Sequence, residues 1–289
     1  MAIPKGESYF GRVIATFDLK EIPARSLALD FRGVKISHLK VNDQDVQNEA
    51  GENQTTFVEH EVNLPVQHLR VGANVVSMNI FNKYRKDGVG LHSFTDAVDQ
   101  EQYLYTQFEA DFCHYVFPVF DQPDLKATWT FKAVVPEDWT VIANEYVDPE
   151  RESQEHQDEL KNQLAGIASF FGVDETWAGT TSPKCFWFKE SARISTYIYA
   201  IVAGPYDYFE SIQEDLPPMR IYARKSLKED INHKEMFLVT QVGMRFYKDL
   251  FGKEYPFAKY DQVFVPEHNY GAMENVGCVT YNEAYMFRG

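Results

Sequence analysis

Cysteine is scarce in this 289-residue sequence: Cys113, Cys185 and Cys278 are the only three, and none stands in a Cys-x-x-Cys pair. An odd, widely spaced set argues against a disulfide framework and against a thiolate zinc site. No apolar run reaches the roughly 18 residues that a membrane-spanning helix needs, and no basic start with an apolar stretch behind it marks a secretory leader. Positive charge is short as well, with 28 Lys and Arg against 43 Asp and Glu for a formal charge of −15. Nucleic acid and anionic membrane both select basic patches, so neither is expected as a partner. A reducing cytoplasm fits these features, with export through a leader outside the sequence left open.

What is present points to a globular protein: 44% of the residues are hydrophobic and 15% aromatic, enough for one large or two ordinary domains with real cores. Residues 9 to 147 read as short strands separated by turns. Gly11–Phe17 alternates, and Ser26–Phe31, Val34–Ile36, Leu39–Val41, Thr55–Val58, Val75–Ile80, Tyr103–Thr106 and Ala127–Val134 follow. Many strands with little helix predict a sandwich or a saddle-shaped pair of sheets. Asp87–Phe94 reads as a glycine-hinged loop in which His92 packs or caps locally. Gln154–Phe171 is a predicted helix with Leu160, Leu164, Ile167 and Phe171 on one stripe and Gly172 as its stop; it reads as a solvated surface insertion.

Ile194–Gly204 is a continuous apolar strand, and a boundary near Tyr206 is expected. Pro217–Ala223 then opens a second domain as an edge strand. Ser226–Phe251 is a predicted long helix with a Ser226/Glu229 capping box, a stripe of Ile231, Leu238, Val242, Phe246 and Leu250, and Gly252 beyond its end.

The stretch with most chemistry is Tyr270-Gly271-Ala272-Met273-Glu274-Asn275-Val276-Gly277. On spacing alone it reads as a hairpin turn with a solvated carboxylate. Gly271 and Ala272 carry almost no side chain, so a ligand's backbone can lie along theirs as on a sheet edge, with Glu274 meeting a positive charge.

Gly271-Ala272-Met273-Glu274-Asn275 resembles the exopeptidase motif of the aminopeptidase N family, zinc metallopeptidases that remove single residues from peptide N-termini. The flanks agree: Tyr255-Pro256-Phe257, Lys259-Tyr260-Asp261, Val265-Pro266 and Thr280-Tyr281-Asn282-Glu283 fall where that family has similar residues. Tyr105-Thr106-Gln107-Phe108-Glu109 and Phe117-Pro118-Val119-Phe120-Asp121-Gln122-Pro123 are similar to its glutamine strand and its aromatic-Pro turn. The likeness runs from about Tyr9 onward and fits worst over residues 148 to 183.

The resemblance implies a mostly β protein with a smaller α+β part. Residues 1–206 would form an N-terminal all-β domain with a helical insertion around 150–172, and 207–289 the start of a thermolysin-like catalytic domain. Gly271, Ala272, Met273, Glu274, Asn275 and Gln107 would bind the substrate's α-amino group and first side chain. A neutral amide such as Gln107 accepts from an ammonium without adding a second buried charge. Relatives place Ala-Arg before the aromatic-Pro turn, whereas this chain has Cys113-His114 there, which predicts the loss of an ion pair.

The zinc motif His-Glu-x-x-His is not found among the eight histidines: His60-Glu61 is followed by Val62-Asn63-Leu64. The sequence therefore reads as a fragment ending before the metal centre, with no catalytic residue and no zinc of its own, zinc being the cofactor of the longer parent. The partners implied are peptides with a free N-terminus. Self-association is expected too, since half a domain would leave its helix stripe uncovered. Two other readings stay open: a non-catalytic scaffold relative, and a bifunctional aminopeptidase and lipid epoxide hydrolase.

Overall fold

The computed structural model describes residues 1–46, 57–58, 60–151, 153–174 and 183–286. Its first two hundred residues are dominated by antiparallel strands. One sheet runs in the order β1 (Ser8–Leu19), β7 (Gly72–Lys83), β3 (Lys35–Val41), β4 (Gln44–Asp45). A second has β2 (Leu27–Asp30), β6 (Glu61–Leu64) and β5 (Phe57–Val58); Thr55 and Thr56 lie outside the described residues. A third runs β11 (Thr140–Ala143), β13 (Ile201–Gly204), β9 (Gln102–Gln107), β8 (Gly90–Thr95). β10 (Lys132–Val135) pairs with β12 (Lys184–Trp187), and Ala2 bridges both Phe10 and Val134. Alternation along these strands feeds one core, in which Tyr9, Phe31, Leu104, Phe108 and Trp139 are buried.

Several sequence expectations are revised. Ala127–Val134 is strand only from Lys132; before it Ala127 exchanges two backbone hydrogen bonds with Ile194, Trp129 bonds Ser191 through its N–H and its carbonyl, and the Phe131 carbonyl accepts from the Phe188 N–H. Ile194–Gly204 is likewise interrupted by a 3-10 turn at Thr196–Ile198, where the Thr196 hydroxyl donates to Asp121. Gly90–Thr95 is strand β8, leaving only the residues before it as loop. In place of the ion pair expected to be lost, His114 donates hydrogen bonds to Asp121 from both its backbone N–H (2.9 Å) and its ring Nδ1 (2.8 Å).

Helix α1 (Gln154–Phe171) has the predicted bounds. The Ser153 side chain accepts from the His156 N–H at its start, and Gly172 closes it in the left-handed region at φ 70°. It is no solvated appendage. Leu160, Leu164, Ile167 and Ala168 are buried against Ala2, Phe10, Val134 and Trp187. At about 1.5–3 kcal/mol for each fully buried aliphatic side chain, this contact makes the helix part of the core.

The remaining chain forms one five-stranded sheet in the order β14 (Tyr206–Ser211), β15 (Met219–Arg224), β16 (Tyr260–Val265), β18 (Cys278–Asn282), β17 (Ala272–Met273). β15, β16 and β18 are mutually parallel, and α2 (His233–Phe251) is the crossover that a parallel β15–β16 pair requires. Pro217–Ala223 is thus no edge strand, since β14 takes the edge beside it.

Helix α2 begins seven residues later than predicted. Ser226 does not cap it but donates its hydroxyl to Asp96, 130 residues away, and a 3-10 stretch occupies Lys225–Asp230. Asn232 is the N-cap, accepting from the Glu235 N–H. Phe237, with Met236 and Met244, packs on Ile221 and Phe264. Of the predicted stripe only Ile231 is buried, whereas Leu238, Val242, Phe246 and Leu250 are 55–59% exposed.

A further core joins the third sheet to this one: Tyr103, Tyr105 and Val202 meet Tyr222, Val263 and Cys278. No helix among the described residues is long and apolar enough to cross a membrane.

Candidate functional site

Strand β17 is the outermost of its sheet, held in register with Ala272 opposite Tyr281 and Met273 opposite Thr280. Alternation along an edge strand sorts the motif into two sets. Met273 and Asn275 are buried, while Gly271, Ala272 and Glu274 face outward. The Asn275 amide nitrogen donates to the Thr280 hydroxyl (3.3 Å), and the Asn275 carbonyl accepts from the Cys278 N–H (3.1 Å). Asn275 is therefore a brace for the turn, and Glu274 is what the turn displays. A cavity of about 350 Å³ opens here, lined by Tyr255, Tyr260, Met273, Glu274 and Tyr281 among others. Apolar and aromatic walls with one carboxylate at the rim suit an apolar side chain carrying a cationic neighbour.

The turn beyond the motif is fixed from beneath. Lys259 and Asp261 form a buried ion pair at 2.6 Å, and Lys259 also donates to the Gly277 carbonyl at 2.7 Å. Burial pushes the Asp261 carboxyl up, and the Lys259 ammonium only partly opposes this. Gly277 sits at φ 71°, and a Cβ there would fall 2.2 Å from the Asn144 carbonyl oxygen, so no other residue fits.

The approach to the motif is held by a set of aromatic and imidazole groups. His268 Nδ1 accepts from the Tyr270 N–H, so its Nε2–H donates to Thr280, the hydroxyl that also holds Asn275. Its ring stacks on Tyr105 at 5.5 Å and 6°. Burial pushes its pKa down to about 4, keeping it neutral. His92, fully buried, accepts from the Gly88 N–H and donates from Nε2 to Glu267 at 3.1 Å; burial also lowers its pKa, against the pull of the Glu267 carboxylate. The Tyr105 hydroxyl donates to the Glu267 carbonyl at 3.0 Å.

Gln107 ends the same strand as Tyr105, opposite Gly90. It is 1% exposed, and among the described residues neither its amide oxygen nor its amide nitrogen has a hydrogen-bond partner. Leaving such a group unsatisfied costs about 1–3 kcal/mol, which the fold tolerates where a ligand completes the bonding. The structure thus brings Ala272, Met273, Glu274 and Asn275 to one cavity, with Gly271 just before it. Gln107 is not in that cavity's lining.

His92 packs and accepts locally from Gly88 as expected, while its bond to Glu267 and the roles of Tyr105, Asn144 and Thr280 were missed by sequence reasoning. His268, beside the motif in sequence, carried the one local signal. Among the described residues no three His, Cys, Asp or Glu side chains converge to hold a metal ion.

The chain is thus a mostly β protein whose β-rich body is joined to a mixed sheet with the exposed Glu274 carboxylate beside its outermost strand. Residues 2–164 match the peptidase M1 N-terminal domain, and residues 236–288 match the peptidase family M1 domain. The chain belongs to peptidase family M1, whose aminopeptidases are zinc metallopeptidases. It is 37% identical over 251 residues to aminopeptidase N of Streptomyces lividans, covering 86% of this chain and 25% of that protein. It is 28% identical over 280 residues to the probable M1 family aminopeptidase 2 of Encephalitozoon cuniculi, covering 93% and 28%. Against aminopeptidase M1-C of Oryza sativa subsp. japonica the identity is 32% over 181 residues, covering 63% and 17%. The chain thus spans between 17% and 28% of the length of these relatives.

Proposed function

We propose that this chain carries the part of a zinc aminopeptidase that reads the free α-ammonium of a peptide substrate. Glu274 supplies the opposing charge, the Gly271–Ala272 edge aligns the peptide backbone, and Gln107 supplies a neutral acceptor. The observation that carries this reading is the sorting of the motif, which turns Glu274 outward on the outermost strand while its neighbours Met273 and Asn275 are buried. The unpartnered Gln107 amide supports it. The role proposed for the residues named here is to bind and measure the substrate's end, with zinc supplied elsewhere in the enzyme. We place the junction between an N-terminal β domain and the start of the catalytic domain near Tyr206, where β14 opens the five-stranded sheet. On this reading the chain by itself hydrolyses no aminoacyl amide.

The test is kinetic and uses the full-length enzyme. A charge-assisted hydrogen bond contributes about 1.5–3 kcal/mol, and loss of one partner of a buried pair costs about 3–5. Glu274→Ala should therefore lower kcat/KM by about ten- to a few thousand-fold while zinc content stays normal, and Gln107→Ala should do less. An N-acetylated peptide should be a poor substrate for the wild type and lose little further in the variant. Equal losses on free and acetylated peptides would show that Glu274 serves something other than the ammonium.

A further inference from the structure

Strand β17 is only two residues long, so its ladder holds the motif through just two pairs, Ala272 with Tyr281 and Met273 with Thr280. Glu274 is exposed, and no hydrogen bond or ion pair reaches its carboxylate among the described residues. Where that carboxylate stands is therefore set by the turn that carries it, residues 274–277 between β17 and β18. A side chain that reads a small cation needs a fixed backbone beneath it, because a misplacement of about 1 Å forfeits much of the productive geometry.

The turn is held most heavily at its last peptide. The Gly277 carbonyl accepts from the Lys259 ammonium at 2.7 Å and from the Asp261 N–H at 3.2 Å, and the Gly277 N–H donates to the Tyr255 hydroxyl at 3.1 Å. One residue earlier, the Val276 carbonyl accepts from the Asn144 amide at 2.9 Å. Lys259 is the one charged donor in this set. It immediately precedes β16, whose second residue, Asp261, meets it side chain to side chain at 2.6 Å.

A buried ion pair adds little to stability as such. Lys259 and Asp261 are each 3% exposed, and the desolvation of two charges roughly cancels their attraction, so an apolar pair of similar volume leaves a fold about as stable. What an apolar pair cannot do is donate to the Gly277 carbonyl. The Lys259 ammonium gives one hydrogen to Asp261 and one to that oxygen, and charge-assisted bonds of this kind are short and strong enough to fix a peptide's orientation.

We propose that Lys259 is a positioning residue for amine reading: through the Gly277 carbonyl its ammonium holds the 274–277 turn so that the Glu274 carboxylate meets the substrate's α-ammonium. The inference rests on the amine-reading role proposed above. Asp261 orients the ammonium, and both side chains lie buried beneath the turn and act on the substrate only through it.

The test compares full-length enzymes on one peptide in its free and N-acetylated forms. Lys259→Met with Asp261→Leu removes both charges together and should keep the urea midpoint and the zinc content near those of the wild type. Its kcat/KM for the free peptide should fall about ten- to a hundredfold, while that for the acetylated peptide stays unchanged. Adding Glu274→Ala to this pair should give the same constants as Glu274→Ala alone, because a residue that acts only through Glu274 then has nothing left to position. If the apolar pair does not fold, Lys259→Gln with Asp261→Asn takes its place; the shorter, neutral Gln reaches Gly277 less well and should show the same selective loss, smaller in size.

If Glu274→Ala spares the preference for the free amine, the amine reading falls and this inference with it. If Glu274→Ala abolishes that preference while the Lys259/Asp261 variant keeps it, the amine reading stands and the positioning role is wrong. Equal losses on both peptides, or losses that multiply when the variants are combined, would likewise overturn the positioning role.

Discussion

Asn144 and Gly277 are locked together where the two halves of the chain meet. The Asn144 side-chain amide donates to the Val276 and Ile198 carbonyls, each at 2.9 Å, and its oxygen accepts from the Ala200 N–H at 2.8 Å. The Asn144 carbonyl oxygen in turn occupies the space where a Gly277 Cβ would stand. Gly277→Ala combines a left-handed backbone with that clash, so a loss of at least about 2 kcal/mol is expected in chemical denaturation. Asn144→Ala removes the partner of the buried Ala200 N–H and of the partly buried Ile198 and Val276 carbonyls, and should cost about 3 kcal/mol. A loss below 1 kcal/mol in either would show that the seam is not structurally tight.

His268 sets a pH dependence of stability. Its folded pKa of about 4 lies below the ordinary imidazole value of about 6.5. Between those values the unfolded chain binds a proton that the folded chain refuses. Stability is therefore full above about pH 6.5 and falls as the pH drops through 4, by up to about 3 kcal/mol. His268→Phe, which preserves stacking on Tyr105, should flatten this limb of a urea-midpoint versus pH curve. NMR titration should show a neutral His268 ring at pH 5.5; a cationic ring there would contradict the assignment.

Asp121 contributes on the acid side. Burial alone would raise its carboxyl, but hydrogen bonds from His114 and Thr196 outweigh burial and hold the pKa low. Its contribution is complete above the unfolded value of about 3.9 and is lost as the pH falls through the depressed folded value. Asp121→Asn should remove that part of the acid sensitivity; an unchanged acid limb would refute it.

Arg224 is the polar counterpart of the seam. It forks onto Glu283 at 2.6 and 2.8 Å and also bonds Asp96, linking the end of β8, β15 and the segment after β18. Arg224→Met strands two carboxylates with little solvent, and breaking such a network costs about 3–5 kcal/mol. Arg224→Lys cannot serve both carboxylates through a planar fork and should recover only part of the loss. Full recovery by lysine would mean that charge, and not fork geometry, holds the network.

The outward face of α2 predicts association. Leu238, Val239, Val242, Phe246, Tyr247, Leu250 and Phe251 are each more than half exposed. An apolar patch of this extent on one helix favours self-association of this chain. Sedimentation velocity should show concentration-dependent oligomers, reduced by Val242→Lys with Phe246→Lys. A monodisperse monomer at all concentrations would refute this.

Helix α1 was legible to the residue from its four-residue stripe and from Gly172, both local signals, while the Ser153 cap was seen only in the structure. The Gly271–Asn275 stretch stood out for the same reason: small residues, a carboxylate and an amide lie adjacent in the chain. What faced what was not legible. Helix α2 carries apolar residues on two faces, and only the packing of Phe237 on Ile221 and Phe264 decides which is inside. Its start was misread because the Ser226 hydroxyl is committed to Asp96, a partner that no local pattern reveals. The burial of α1, the docking of His92 on Glu267 across 175 residues and the meeting of Asn144 with Gly277 are long-range too. Spacing along the chain determines which elements form and which side chains share a face. Which face is covered, and which hydroxyl or imidazole finds a distant acceptor, is settled only when the sheets pack and buried polar groups must be paired.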